Sequence, residues 1–199
     1  MRNDRFLLVV ITSPEFWPGE GDCLEEMLEE GLEKLHVRKP GKGLESLLER
    51  LAPRWSSRLV LHGKRDVVEM AERYHVPQVH GHWYKPWEEN STVALSASLH
   101  SWEEVREVPQ GGLQYVFLSP LFDSISKPGY KAGAGLLQRP DSVAPCGLIG
   151  LGGIDEHTIG QVMEHGWDGA AVLGYIWEKP EEAVDRFRSL KAIIDNHGR

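Results

Sequence analysis

Short apolar runs alternate with helical stripes along the chain. The run from Phe6 to Thr12 is almost continuously apolar, which predicts a strand buried on both faces. Leu24, Met27, Leu28, Leu32 and Leu35 then recur at the helical period, with Asp22 expected as N-cap and Glu25 completing a capping box. Leu35–Arg38 reads as a second strand, stopped by Lys39-Pro40-Gly41. Leu44, Leu47, Leu48 and Leu51 mark a second helix closed by Pro53. Arg58–His62, Pro77–His80, Val93–Ser98 and Tyr115–Leu118 are further strands, separated by a helix over Asp66–Tyr74 and one capped by Ser101 and Glu104. A long polar loop, Ser119–Gly135, leads to a short helix expected around Leu136–Val143. Two strands that end in glycine follow, one from Gly147 into the Gly152-Gly153 turn and one from Gly169 to Gly174. Helices are expected after them, over Asp155–His165 and Pro180–Asn196.

Eight strands alternating with helical segments imply a parallel sheet, and that number favours a closed (β/α)₈ barrel over an open, flavodoxin-like one. The chain has 199 residues, near the lower limit of about 200 for such a barrel. No linker, low-complexity tract or repeat divides it, so residues 1–199 are read as one domain.

Charge and composition narrow the function. A net charge of −8 argues against a nucleic-acid partner, which wants a basic face. No apolar run is long enough for a membrane span, and the N-terminal stretch is too short and too acidic for a signal peptide. Two cysteines, Cys23 and Cys146, form no framework or CxxC spacing, which suits a reducing cytoplasm. The number of subunits leaves no trace in the sequence, so a homo-oligomer stays open.

In a barrel, functional groups follow the strands at the C-terminal face. His36, Arg38 and Lys39 stand there, as do His62, His80, His82, Ser98 and His100. Five of the nine histidines thus fall at consecutive strand ends, a pattern suited to acid/base work or a metal. Spacing across separate strands does not show convergence, so no metal ligand is assigned. The loop Ser124-Ile-Ser126-Lys127 offers two hydroxyls and an ammonium to phosphate oxygens, at about 1.5–3 kcal/mol for each charge-assisted bond. Beside it, Gly152, Gly153, Gly174 and Tyr175 present backbone N–H groups where the last strands end, the usual place for a barrel phosphate site. Trp83, Tyr84 and Trp87 are candidates to wall a heterocycle or to pack at the rim.

The ordered motifs resemble the thiamine phosphate synthase/TenI family over nearly the whole chain. They are His36-Val-Arg38-Lys-Pro40, His62-Gly63-Lys64, Gln78-Val-His80-Gly-His82, Ser98-Leu-His100, Ser119-Pro-Leu-Phe-Asp-Ser124-Ile-Ser126-Lys127 and Gly152-Gly153-Ile154. The resemblance implies a barrel that joins an aminopyrimidine methyl diphosphate to a thiazole phosphate, releasing pyrophosphate with Mg²⁺. It places the thiazole phosphate on the Gly153 turn, the backbone after Leu173, Ser124 and Ser126. Arg38, Ser98 and Lys127 match positions that hold the diphosphate. The two carboxylate positions that hold Mg²⁺ in the family are Gly63 and Lys85 here, so that metal lacks its ligands. The family's Gln, Lys and Asn become His36, Pro40 and His62, and a phosphate-holding serine becomes Gly174. The family's other branch, the thiazole tautomerase TenI, has its catalytic histidine where this chain has Pro120. His36 and His62 are the candidates to supply proton transfer instead. Three activities remain to be separated: the synthase, a tautomerase, and a non-catalytic barrel that binds a thiazole phosphate.

Overall fold

The computed structural model describes residues 5–39, 43–63, 66–81, 93–123, 131–140 and 146–197. Eight parallel strands close on themselves in chain order: β1 (Leu7–Ile11), β2 (Lys34–Val37), β3 (Leu59–His62), β4 (Gln78–His80), β5 (Ala94–Leu99), β6 (Tyr115–Leu118), β7 (Gly147–Leu151) and β8 (Gly169–Val172). Pairing of Leu7 through Val10 with Gly169 through Val172 joins the last strand to the first. The helices are α1 (Glu20–Glu29), α2 (Leu44–Trp55), α3 (Asp66–Arg73), α4 (Trp102–Glu107), α5 (Ile159–Glu164), α6 (Gly174–Trp177) and α7 (Ala183–His197). The expected (β/α)₈ barrel is therefore the observed fold. None of the described helices is long and apolar enough to cross a membrane.

Local chemistry accounts for the element ends, and corrects two of them. Helix α1 starts at Glu20, after Gly19 in a left-handed conformation (φ 86°). Asp22 therefore lies inside the first turn and is not the N-cap. Both Asp22 and Glu25 instead take Arg50 of α2, which ties the two helices together on the surface. The helix expected over Leu136–Val143 is absent from its described part: residues 136–140 run as bends and irregular chain, and 141–145 lie outside the described residues. Pro140 removes a donor there. Leu136 is buried as an anchor, and Arg139 donates to Gly166 O and to Asp168 Oδ2 at 3.3 Å. The Ser101 cap is present, its Oγ accepting from Glu104 N at 3.2 Å.

Alternation along each strand splits the side chains between two cores. Leu8, Val10, Leu35, Val37, Leu59, Leu61, Val116 and Leu118 pack outward against the helices. Val9, Ile11, Tyr115, Phe117, Ile149 and Ala171 fill the barrel. The register aligns His36 with Ile11 and Val60, His62 with His80, His80 with Ser96, and Ser96 with Tyr115. Those residues share the inward face. The interior is thus apolar along β6–β8 and β1 and polar along β2–β5.

A buried ion pair fixes the β1 and β2 ends of the mouth. Lys39 Nζ donates to Glu20 Oε1 at 2.5 Å and to Glu15 O at 2.7 Å, and lies 4.4 Å from the centre of the Phe16 ring. Both partners are shut off from water, with side chains 0% and 3% exposed. Burial pushes the Glu20 carboxyl above its usual range, and the hydrogen bond from Lys39 opposes that. Lys39 is thus a strut and not a free cation of the mouth. Replacing Lys39 with Met should destabilise the fold by about 3–5 kcal/mol, because Glu20 is left buried without its partner. The double replacement Lys39→Met/Glu20→Gln should recover more than half of that loss in denaturant titrations.

Candidate functional site

Three histidines meet inside the mouth. His36 comes from the inward face of β2, His62 ends β3 and His80 ends β4. His36 Nδ1 lies 2.7 Å from His62 Nε2, and His36 Nε2 lies 2.5 Å from the Tyr115 hydroxyl of β6. The ring centres of His62 and His80 are 4.3 Å apart and stacked. His80 is held at both nitrogens, by Ser96 Oγ at 3.0 Å and Ser98 Oγ at 2.9 Å. Phe117 closes the set from across the barrel, 4.7 Å from the His36 ring and 4.8 Å from that of His80. One ligand-capable nitrogen of each histidine lies within 4.8 Å of the others.

Burial decides the charge of these groups. His36 is fully enclosed, and loss of water pushes its pKa well below the ordinary value, helped by the neighbouring His62 and His80 and by Lys34. His62 is lowered as well, first by burial, then by His80 and by the Arg38 guanidinium. The Tyr115 phenol is raised by burial, with Ser96 and Gln78 opposing. All three are therefore neutral near pH 7. The line Tyr115–His36–His62 has two tautomeric arrangements, one with the phenol donating to His36 and one with His36 donating to the phenol oxygen. Switching between them moves a proton from one end of the line to the other. Such a line can deliver or accept a proton at His62, which is its partly exposed end.

The opposite half of the mouth is made of backbone. Gly152 (φ 98°) and Gly153 (φ 65°) both take left-handed conformations after β7. A Cβ on Gly153 would stand 2.3 Å from Asp123 O, and one on Gly152 would stand 2.9 Å from Pro120 Cα. The loop after β6 lies directly on this turn: Leu121 N donates to Leu151 O and Phe122 N to Gly152 O, both at 3.0 Å. Only glycine permits that approach. Asp155 then accepts from His157 N at 2.9 Å and Thr158 N at 3.0 Å, and α5 begins at Ile159, four residues later than the sequence suggests. Gly174 and Tyr175 open α6, so their N–H groups belong to a first turn with no intrahelical acceptors. The Tyr175 phenol faces Glu156, which adds to burial in raising its pKa.

The other expected residues are distributed as follows. Arg38 is exposed just beyond β2, its backbone clamped to β1 by Thr12: Arg38 N donates to Thr12 Oγ1 at 2.9 Å. Ser98 joins the histidine group through His80. His100 does not; its Nδ1 donates to Ser119 O at 3.1 Å, tying the rims of β5 and β6. Ser124, Ser126, Lys127, His82, Trp83, Tyr84, Lys85 and Trp87 lie outside the described residues. Tyr115 and Ser96 are the members that strand-end reasoning misses, because they sit inside the barrel one step below the mouth. Their signal is the alternation Ser96-Ala-Ser98 and Tyr115-Val-Phe117, polar or aromatic at every second position.

The buried imidazoles set a pH dependence. Their folded pKa values lie below the unfolded value of about 6.5, so the unfolded chain binds more protons as the pH falls. Their contribution is complete above about pH 6.5 and is lost progressively below it, by at most about 1.4 kcal/mol per pH unit for each histidine. Denaturant titrations at a series of pH values should show this acid-side decline, and His62→Asn should flatten it.

Comparisons with known proteins agree with this architecture. The family described as "Thiamine monophosphate synthase" (TMP-TENI) matches residues 8–176. The thiamine-phosphate synthase of Anoxybacillus flavithermus is 28% identical over 184 residues, covering 81% of this chain and 84% of that one. That of Lysinibacillus sphaericus is 31% identical over 104 residues, about half of each chain. Among solved structures, thiamine phosphate pyrophosphorylase from Bacteroides thetaiotaomicron superposes with a TM-score of 0.73 at 25% identity, covering 96% of this chain and 98% of that one. The Pyrococcus furiosus protein gives 0.75 at 20% identity, covering 96% of each chain. The match spans both halves of the mouth, from β1 through α6, and the chain belongs to the thiamine monophosphate synthase family.

Proposed function

We infer that the chain joins an aminopyrimidine methyl diphosphate to a thiazole phosphate with loss of pyrophosphate. Family membership supports the reaction class. The observation that carries the reading is the Gly152-Gly153 turn in left-handed conformation after β7, with the neighbouring strand β8 running into the first turn of α6. In the reaction the thiazole nitrogen forms a bond to the exocyclic methylene carbon. The carbon–oxygen bond to the diphosphate breaks, and its electron pair leaves with pyrophosphate. Charge builds on the departing oxygens, and the Arg38 guanidinium and Ser98 hydroxyl, both exposed and at positions that match the family's diphosphate-holding residues, are the groups to meet it in this reading. Ser124, Ser126 and Lys127 enter this reading from the family resemblance alone.

The family's Mg²⁺ does not fit the described residues. A carboxylate at position 63 would need room that α3 fills: even a Cβ there would stand 2.8 Å from Val67 Cβ. The donors that converge nearby are imidazole nitrogens, whereas Mg²⁺ is a hard ion that takes oxygen. No step is routed through it.

A second reading has its own observation. The neutral Tyr115–His36–His62 line is suited to moving a proton between two ring positions of a thiazole phosphate, as in tautomerisation. The two readings separate in one assay. With both substrates, pyrophosphate release and thiamine phosphate formation are expected, and Arg38→Ala should lower kcat/KM about 10- to 100-fold, the worth of one charge-assisted hydrogen bond. Conversion of a thiazole carboxylate phosphate tautomer without a second substrate would favour the tautomerase. Tight binding with neither turnover would leave a phosphate-binding barrel.

A further inference from the structure

We propose that His36, His62 and His80 hold a divalent transition metal ion of the zinc class, each through one ring nitrogen, at the base of the histidine half of the mouth. Three observations carry this. The first is convergence: three imidazoles from three successive strands bring a nitrogen each within 4.8 Å of the others. Two ligands of a tetrahedral zinc ion stand about 3.4 Å apart at metal–nitrogen distances of about 2.0–2.1 Å. His36 Nδ1 and His62 Nε2, now 2.7 Å apart, need to open by only about 0.7 Å to reach that spacing.

The second observation is the surrounding support. A metal-bound histidine ordinarily uses its other nitrogen to hold an oxygen partner, which fixes the ring and its tautomer. His36 has that partner in Tyr115, at 2.5 Å from Nε2. His80 has a serine at each nitrogen, so whichever one turns to the metal, the other keeps a hydroxyl. The third is access. His62 is the half-buried member of the trio, and it ends β3 at the mouth, so an ion reaches the group from the substrate side.

Nitrogen donors select for zinc, cobalt, nickel or copper and against magnesium. Binding of the ion is independent of the catalytic reading. Its use, to meet charge on a departing pyrophosphate at the place where the family's carboxylates are missing, rests on that reading. The metal is therefore measured without either organic substrate.

The experiment uses tag-free, chelator-treated full-length protein and titrates it with Co²⁺ and with Zn²⁺. The expected result is one ion per chain and the visible d–d bands of a nitrogen-ligated Co²⁺, which Zn²⁺ abolishes and a large excess of Mg²⁺ does not. His62→Ala and His80→Ala should each weaken binding by at least about 100-fold, and Tyr115→Phe, which removes the hydroxyl that supports His36, by about 10-fold. His157→Ala, on an exposed histidine remote from the trio, should change nothing. Circular dichroism guards the comparison, and where an alanine variant does not fold, His62→Gln takes its place. Absence of a one-to-one complex overturns the proposal. So does binding that persists unchanged in the His62 and His80 variants, which would mark an adventitious surface site. Failure of the synthase assay with intact metal binding would count against the catalytic reading alone.

Discussion

Closing eight short strands into a barrel leaves an interior just wide enough for side chains. Every second residue of each strand must enter it, and every polar atom that enters loses water. That constraint orders the rest of this molecule. A histidine at position 36, fully buried, needs partners at both nitrogens, and His62 and Tyr115 supply them. His80 in turn depends on Ser96 and Ser98. The group is a closed set in which each member satisfies another, so its cost of burial is met only while all are present.

The same constraint separates two kinds of work. Along β6, β7 and β8 the interior is filled by Tyr115, Phe117, Ile149 and Ala171, and beyond the Tyr115 hydroxyl, which reaches His36, the strand ends contribute backbone. There the Gly152-Gly153 turn and the start of α6 offer donors whose position does not depend on side-chain rotamers. Along β2 to β5 the groups are titratable side chains, tuned by burial. A glycine turn thus faces a wall of buried imidazoles. Arg38, clamped by Thr12 yet exposed, stands at the border of the wall with solvent.

Much of this was legible in the sequence, for physical reasons. Continuous apolar runs such as Phe6–Thr12 exist because both faces of the strand are covered, so the barrel could be counted before it was seen. The glycine turn was legible because few other residues take such backbone angles. The start of α1 was not, because Gly19 begins the helix from a left-handed conformation while Asp22 and Glu25, which imitate a capping box, serve Arg50. Nor was the fate of Lys39, since nothing in the strand-end pattern distinguishes a cation facing the mouth from one turned back to a buried Glu20. Convergence of the histidines depends on strand register, which a list of strand ends does not contain. It becomes readable only once His62 is set beside His80 and His80 beside Ser96.

Gly63 ties the chemistry of the mouth to the packing of the helix outside it. Helix α3 packs so close to the end of β3 that a side chain at 63 meets Val67 before it reaches the cavity. Val67 is itself buried in the outer core. A carboxylate is therefore not one substitution away. It would require a smaller residue at 67 first, which opens a void beneath α3 and costs stability before any ligand is gained. Helix packing on the outside of the barrel thus limits which side chains position 63 can carry toward the chemistry inside it.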